Sequence, residues 1–240
     1  MTEGLKTWAR AGSSLGLGFG AALALRPFSR RRSHDLEIAT CRRVLRDANI
    51  TLRVDDRTGL APDDARPRLY VHLDQQTLLA IAIYPLIFQR QFALIANIEF
   101  ALLPIIGWLT VADGAVIIVR QWPAQARAGM RRAAQRIRDG ESFGVSIEGR
   151  RSADGELSPY KKGPVVLAIE AQCDIIPFMT HGEWGLWPRG QWFVRPGTIE
   201  AVLYPPISTR GLAPADRHDL VGRLRDLAVS ERALRGRAST

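Results

Sequence analysis

The chain has 240 residues, 46% of them apolar, and a formal charge of +9. That length and composition allow one substantial core, and the charge points to anionic partners: nucleic acid, an anionic membrane surface or phosphorylated small molecules. No RNP-like aromatic strand or zinc finger accompanies the arginines, so no nucleic-acid partner is expected. Cys41 and Cys173 are far apart with no C-x-x-C, and the four histidines show no ligand spacing, which argues against a metal site or a disulfide framework.

Residues 11–25 are apolar and uncharged between Arg10 and Arg26. Fifteen residues with four glycines are too short for a comfortable bilayer span, so an interfacial or loosely packed N-terminal helix is expected. Arg30 to Arg32 follow as a solvated flank or a contact for anionic headgroups. This divides the chain into an N-terminal apolar and basic segment, 1–32, and a single domain, 33–240. Ser33 predicts the cap of a helix running to about Asp47. Asn49 to Val54 alternates as a strand, and an Asp- and Pro-rich loop follows to Pro67.

Arg68 to Leu73 predicts a strand, then a helix from about Gln76 to Phe88. Phe92 to Ala96 reads as a further strand, followed by a short helix and a turn at Pro104 to Gly107. The whole stretch from Phe92 to Val111 is long enough to span a membrane, but Asn97, Glu99, Pro104 and Gly107 make it core or membrane-dipping instead. Gly114 to Val119 is a buried strand, and Pro123 to Arg138 an amphipathic helix with Gly140 beyond its end. Phe143 to Ile147 is a strand, Gly163 to Ala171 a helix, and Ile175 to Met179 and Thr198 to Tyr204 are strands. A helix from about Pro214 to Leu234 closes the chain. Strands alternating with long helical patterns predict an α/β fold with a largely parallel central sheet flanked by helices. Ligands of such sheets sit at the carboxyl ends of the strands, where Asp74, Arg120 and Glu148 fall.

The richest stretch runs from Phe143 to Gly163, FGVSIEGRRSADGELSPYKKG. A buried strand ends in Glu148-Gly149, and Arg150, Arg151, Lys161 and Lys162 surround that one carboxylate. The composition suits either a solvated basic turn or a phosphate site, since guanidinium grips phosphate through two parallel hydrogen bonds.

The order of residues separates these readings. EGRRS, then DGEL, then PYKKG resembles the third block of the glycerolipid acyltransferases, written PEGTRS with a downstream FKKG. These enzymes, which include the lysophosphatidic acid acyltransferases, move a fatty acyl group from a coenzyme A or carrier-protein thioester to a glycerol hydroxyl. Residues 96–108, ANIEFALLPIIGW, resemble the second block's AK-x-EL…P…GW, with Asn97 where lysine is usual. Gly114 to Arg120 fits its G-x-x-x-I-x-R at every specified position. Ile175-Ile176-Pro177-Phe178 matches the fourth block, and together the matches cover roughly residues 67–207.

The resemblance implies that Arg120, Gly149, Arg150, Arg151, Ser152 and Lys162 bind the acceptor phosphate. Pro104, Gly107, Ile176 and Pro177 fall on its apolar, acyl side. It implies no cofactor: acyl-CoA or acyl-carrier protein is a co-substrate, and the acceptor is of the lysophospholipid type. An anionic membrane surface, with peripheral or N-terminally anchored attachment on its cytoplasmic face, follows from the same resemblance and from the basic charge. Segments 78–88 and 92–111 would line an acyl channel or dip into the membrane, and Trp184, Trp187, Trp192 and Phe193 would anchor at its interface or pack in loops.

The first block departs from the family. Its N-H-x-x-x-x-D uses histidine as base and aspartate as orienter. Here the sequence after RLYVHL is Asp74-Gln75-Gln76-Thr77-Leu78-Leu79-Ala80. In the register that keeps the hydroxyl and leucine positions, Gln75 stands at the histidine place and Ala80 at the aspartate place. Glutamine is no general base at neutral pH. His72 and Asp74, two apart on a strand and so on one face, form a candidate relocated pair, with Glu148 as a third catalytic candidate. A packed strand histidine is the competing reading of His72, and a catalytically impaired lipid-binding member of the fold is the alternative for the whole chain. A working base at His72 should face the same cleft as Arg120 and Glu148.

Overall fold

A computed structural model describes residues 2–238, apart from 62, 89, 90, 153, 189 and 192. Trp192 therefore lies outside the described residues. Among them, seven strands form one sheet in the order β1-β7-β6-β2-β5-β3-β4. The strands are β1 (Ile50–Asp56), β2 (Arg68–His72), β3 (Ala93–Asn97), β4 (Val116–Ile118), β5 (Phe143–Ser146), β6 (Asp174–His181) and β7 (Gly197–Leu203). All neighbours are parallel except β6 with β7. The expected largely parallel α/β sheet is what the structure shows.

Alternation along the central strands builds a core on each face. Leu69 and Val71 of β2 point to one side, with Phe143 and Val145 of β5. Three helices cover that side: α6 (Pro123–Arg138), α7 (Gly163–Ala171) and α9 (Arg217–Ala238), which supply Ala133, Ile137, Val165, Leu167 and Leu224. Tyr70, Ile176 and Phe178 point to the other side. There α1 (Thr2–Leu25), α2 (Arg30–Asp47), α3 (Ala80–Phe88) and α5 (Ile106–Ala112) cover the sheet. Short helices α4 (Ile98–Ala101) and α8 (Glu183–Leu186) follow β3 and β6.

Two expectations at the amino end are corrected. The cap of α2 is Ser29, whose side chain accepts from the Arg32 N–H, so the helix begins three residues before Ser33. Ser33 instead lies buried inside the helix, where its hydroxyl donates to the Ala22 carbonyl of α1 at 2.9 Å. The boundary expected at residue 32 falls within α2, and α1 is firmly packed: Ala11, Phe19 and Ala22 join the core of that face. Ser14 Oγ also donates to Asp47 Oδ2 at 2.6 Å, tying α1 to the end of α2. No described helix is long and apolar enough to cross a membrane.

The α3 and α5 boundaries also moved. Helix α3 starts at Ala80 rather than Gln76, because the residues before it spend their polar groups on another loop. Pro104 lies in the turn before α5, a helix that takes in Gly107 and that the sequence pattern did not show.

Close approach of α1 to α2 depends on Gly18. A Cβ there would lie 2.2 Å from Thr40 Oγ1 and 2.8 Å from Thr40 Cβ. Gly18→Ala should therefore lower unfolding stability by about 1–3 kcal/mol, as overpacking in a close-packed interface does. Adding Thr40→Gly should recover a measurable part of that loss in urea unfolding, because the clash is with that one side chain.

Candidate active site

The carboxyl ends of β2, β5, β3 and β4 lie side by side, and the loops that leave them are stitched together. The Ile147 N–H donates to the His72 carbonyl at 3.0 Å, continuing the β2–β5 pairing past the strand end. The Ser152 N–H donates to the Gln75 carbonyl at 2.9 Å. The EGRRS loop is thereby fixed against the first-block segment. Arg120, two residues beyond β4, reaches across and donates to the Gly149 carbonyl, with Glu99 Oε2 3.7 Å from its other terminal nitrogen. Gly149 has a φ of 69°, a left-handed conformation that glycine adopts without strain and that aims this carbonyl at Arg120.

Arg120 and Gly149 are thus in contact, with Arg150 exposed and Arg151 half-buried next in the chain. Lys162 sits at the amino end of α7 with its Nζ 3.5 Å from His218 Nε2, on the α9 side. Ser152 differs from expectation. Its hydroxyl is buried and bonded within the loop, donating to the Glu156 carbonyl and accepting from the Gly155 N–H, both at 2.9 Å. Ser152 shapes the turn and presents no hydroxyl to a ligand.

His72 and Asp74 do come together, with Nε2 3.2 Å from Oδ1, but they are sealed. The imidazole is 0% exposed, stacks on Phe178 at a centroid distance of 4.5 Å, and has both nitrogens engaged. Nδ1 lies 2.7 Å from the Tyr84 hydroxyl and Nε2 2.9 Å from Thr180 Oγ1. Burial pushes the His72 pKa down to about 4, and it pushes Asp74 up to about 8 against the Thr180 N–H and Arg232. Burial thus disfavours the charged form of each, which weakens any ion pair between them. The cleft-facing base expected of His72 is not found; the ring is packed under α3.

The first-block side chains are likewise engaged. Thr77 gives both its N–H (3.2 Å) and its hydroxyl (2.7 Å) to Glu183 Oε2, and Gln76 Oε1 accepts the Trp184 N–H at 3.1 Å. Glu183 is wholly buried, and burial raises its pKa. These bonds lock the first-block loop to the loop after β6. Gln75 is half-buried, and Ala80 is buried at the start of α3.

Beside Ala80 lies a cavity of about 440 Å³. Phe19, Ile81, Tyr84, Phe92, Leu94 and Leu109 are among its lining, so segments 78–88 and 92–111 both contribute. Arg26, His34, Glu37 and Asp113 also line it, and the Arg26–Asp113 ion pair closes to 2.5 Å. Of the residues expected on the apolar side, Gly107 is buried at the start of α5 and Pro104 is exposed before it. Ile176 and Pro177 are buried within β6. None of these four lines the cavity. Trp184 packs on the Gly155 turn, Trp187 donates its indole N–H to the Gln191 carbonyl, and Phe193 is exposed.

Glu148 is 1% exposed at the end of β5 and accepts the Ser158 N–H. Burial raises its pKa to about 7, with Asp74 adding to the shift and Arg225 opposing it. Sequence reasoning missed Tyr84, Thr180, Ser158 and Glu183, which no spacing connects to the first block. The only trace of Glu183 was an acid directly after a glycine at a strand end.

Residues 72–181 match the family model described as Acyltransferase. A 1-acyl-sn-glycerol-3-phosphate acyltransferase of Limnanthes alba is 33% identical over 136 residues, which are 56% of this chain and 48% of that protein. The human 1-acyl-sn-glycerol-3-phosphate acyltransferase beta is 29% identical over 171 residues, 71% of this chain and 61% of that protein. The crystal structure of the 1-acyl-sn-glycerophosphate (LPA) acyltransferase PlsC from Thermotoga maritima superposes with a TM-score of 0.76 at 21% identity. That match covers 97% of this chain and 95% of the other, and it shows the fold. Residues 72–181 thus resemble the acyltransferases in sequence, and the chain shares the fold of a solved glycerolipid acyltransferase. The chain spans about half the length of the Limnanthes relative, and nothing in these comparisons favours the catalytically impaired alternative.

The buried acids of this site make the protein's stability fall with pH. Asp74 binds its proton in the folded state up to about pH 8 but releases it near 4 when unfolded. The folded state therefore holds more protons between these values, and stability decreases as pH rises through them. His72 and His181 act oppositely, but only below their ordinary value near 6.5. Between about pH 6.5 and 8, urea unfolding should show falling stability, with Asp74 contributing up to about 1.4 kcal/mol per pH unit. Asp74→Asn, which keeps an acceptor for the Thr180 N–H, should flatten that slope.

Proposed function

We propose that this protein is a glycerolipid O-acyltransferase that works at a membrane surface. It moves a fatty acyl group from an acyl-CoA or acyl-carrier-protein thioester to the free hydroxyl of a lysophosphatidic-acid-type acceptor. The observation that carries this reading is the meeting of two chemistries at one loop. A cationic site at Arg120 and the Gly149–Arg151 turn lies against the first-block segment, and Ala80, at the end of that segment, lines a cavity with apolar walls at Phe19, Ile81, Tyr84, Phe92 and Leu94 and charged groups at Arg26, Glu37 and Asp113. A monoacylated phosphate ester presents that combination of anion and chain. The names of the sequence relatives support the same substrate class.

In this reading the guanidinium groups of Arg120, Arg150 and Arg151 hold the acceptor phosphate, with Lys162 at the edge of the field. The acyl chain of the donor lies in the cavity. Holding thioester and hydroxyl together supplies much of the rate, because effective concentrations of well-oriented groups reach about 10⁵ M or more. The acceptor oxygen attacks the thioester carbonyl, a new C–O ester bond forms, the C–S bond breaks, and the hydroxyl proton ends on the departing thiolate.

Membrane contact is supported by a surface beside the cavity. Phe28 at the end of α1 is 86% exposed, and Leu17, Leu102, Trp108 and Val111 are exposed on α1, α4 and α5 or their edges. Arg30 to Arg32 follow Phe28 after a single serine. Apolar and aromatic side chains beside clustered arginines suit insertion at an anionic interface.

Two outcomes check this. Purified protein given radiolabelled acyl-CoA or acyl-carrier protein and lysophosphatidic acid should form phosphatidic acid, and Arg120→Ala should raise KM for the acceptor about tenfold or more. That is the scale of a lost charged hydrogen-bonding contact. No product from either donor would sink the reading. In co-sedimentation, Phe28→Ser with Trp108→Ser should weaken binding to vesicles containing phosphatidylglycerol at least about tenfold, because each substitution removes one buried aromatic anchor.

A further inference from the structure

The Ile147 and Ser152 N–H groups pin both ends of the EGRRS loop to the His72–Gln75 segment, and Glu148 lies between those two ties. Its Oε1 accepts the Ser158 N–H, while its Oε2 is buried with no hydrogen-bond partner. Charged and titratable groups face it from three sides: Asp74 beyond β2, Tyr160, and Arg225 and Arg232 of α9. Tyr160 is committed to the Leu73 carbonyl through its hydroxyl, and Arg225 to the Ser158 and Leu157 carbonyls. On the remaining side stands Gly149. Gly149 puts no side chain beside the carboxylate, and a Cβ there would meet only the Lys161 side chain, at 3.7 Å.

Acyl transfer needs a group to take the proton from the attacking hydroxyl. Gln75, in the place the resemblance gives to histidine, is an amide and takes up no proton at neutral pH. His72 has no free ring nitrogen, and its pKa is near 4. Asp74, near 8, is already protonated at pH 7. Glu148 has an unpartnered oxygen beside the first block and titrates where a general base works best.

We propose that Glu148 is the catalytic proton acceptor of this enzyme, through Oε2. The inference rests on the acyltransferase reading. As the acceptor oxygen bonds to the thioester carbon, its proton passes to Oε2. When the C–S bond breaks, that proton passes from Glu148 to the thiolate, leaving ester, free thiol and the carboxylate restored.

Glu148→Gln is the informative variant, because its amide oxygen still accepts the Ser158 N–H while no proton can be taken. Expected is a fall in kcat of about 100-fold or more, the usual contribution of a general base, with acceptor KM within about threefold. The wild-type rise of kcat/KM with pH, centred near 7, should disappear. Glu148→Asp should keep the rising limb at reduced kcat, which tests the idea even if the glutamine variant folds poorly. A glutamine variant within threefold of wild type, or one that keeps the rising limb, overturns the assignment while leaving the acyltransferase reading standing. Wild-type protein without transfer from either donor overturns both.

Discussion

Everything at the site hangs on one seam, the parallel pairing of β2 with β5 and its continuation past the strand ends. The register sets His72 opposite Ser146, so the two chains leave the sheet together. Parallel strands buried on both faces must be apolar along their length, and polar chemistry arrives only where they end. There the backbone groups still need partners, and Ile147 and Ser152 find them on the neighbouring loop. The price is that Asp74 and Glu148 are carried into the seam with little water around them. Their raised pKa values and the loop's rigidity have the same origin.

The parts of the fold legible in the sequence were those with local punctuation. Helices α6 and α7 begin and end where expected, since each opens at or beside a proline and stops at a turn residue. The start of α3 was misplaced because Gln76 and Thr77 look like helix formers, yet they are bonded to the α8 loop a hundred residues away. Pro104 and Gly107 read as a turn, but only Pro104 lies in one: α5 begins at Ile106 and takes Gly107 into its first turn. The pairing of β1 with β7, and the single antiparallel pair, depend on which edges meet in space, and no periodicity encodes that.

The cationic half of the site was legible because each of its parts directly follows a strand. Arg120 at a strand end and the EGRRS turn required only that β4 and β5 finish on the same side. The polar network beneath them was not. Alternation placed His72 and Asp74 on one face of β2, which the 3.2 Å contact bears out. It did not say that α3 would close that face with Tyr84, or that Phe178 would fill it. An alternation pattern gives the direction of a side chain; whether that direction is open depends on what the rest of the chain packs there.

Gln75 and Ala80 make physical sense as a pair. The aspartate expected at position 80 is useful only while it faces an imidazolium. Ala80 lines the cavity with Phe19, Tyr84 and Phe92, and it is buried. A carboxylate there without a cationic partner would be desolvated against aromatic rings, and it would neutralise itself or distort the start of α3. Alanine adds no further charge to the cavity wall beside the first-block loop. With the histidine gone, losing the aspartate favours the cavity, and the proton-accepting charge is left at Glu148, where the Ser158 N–H and the α9 arginines hold it.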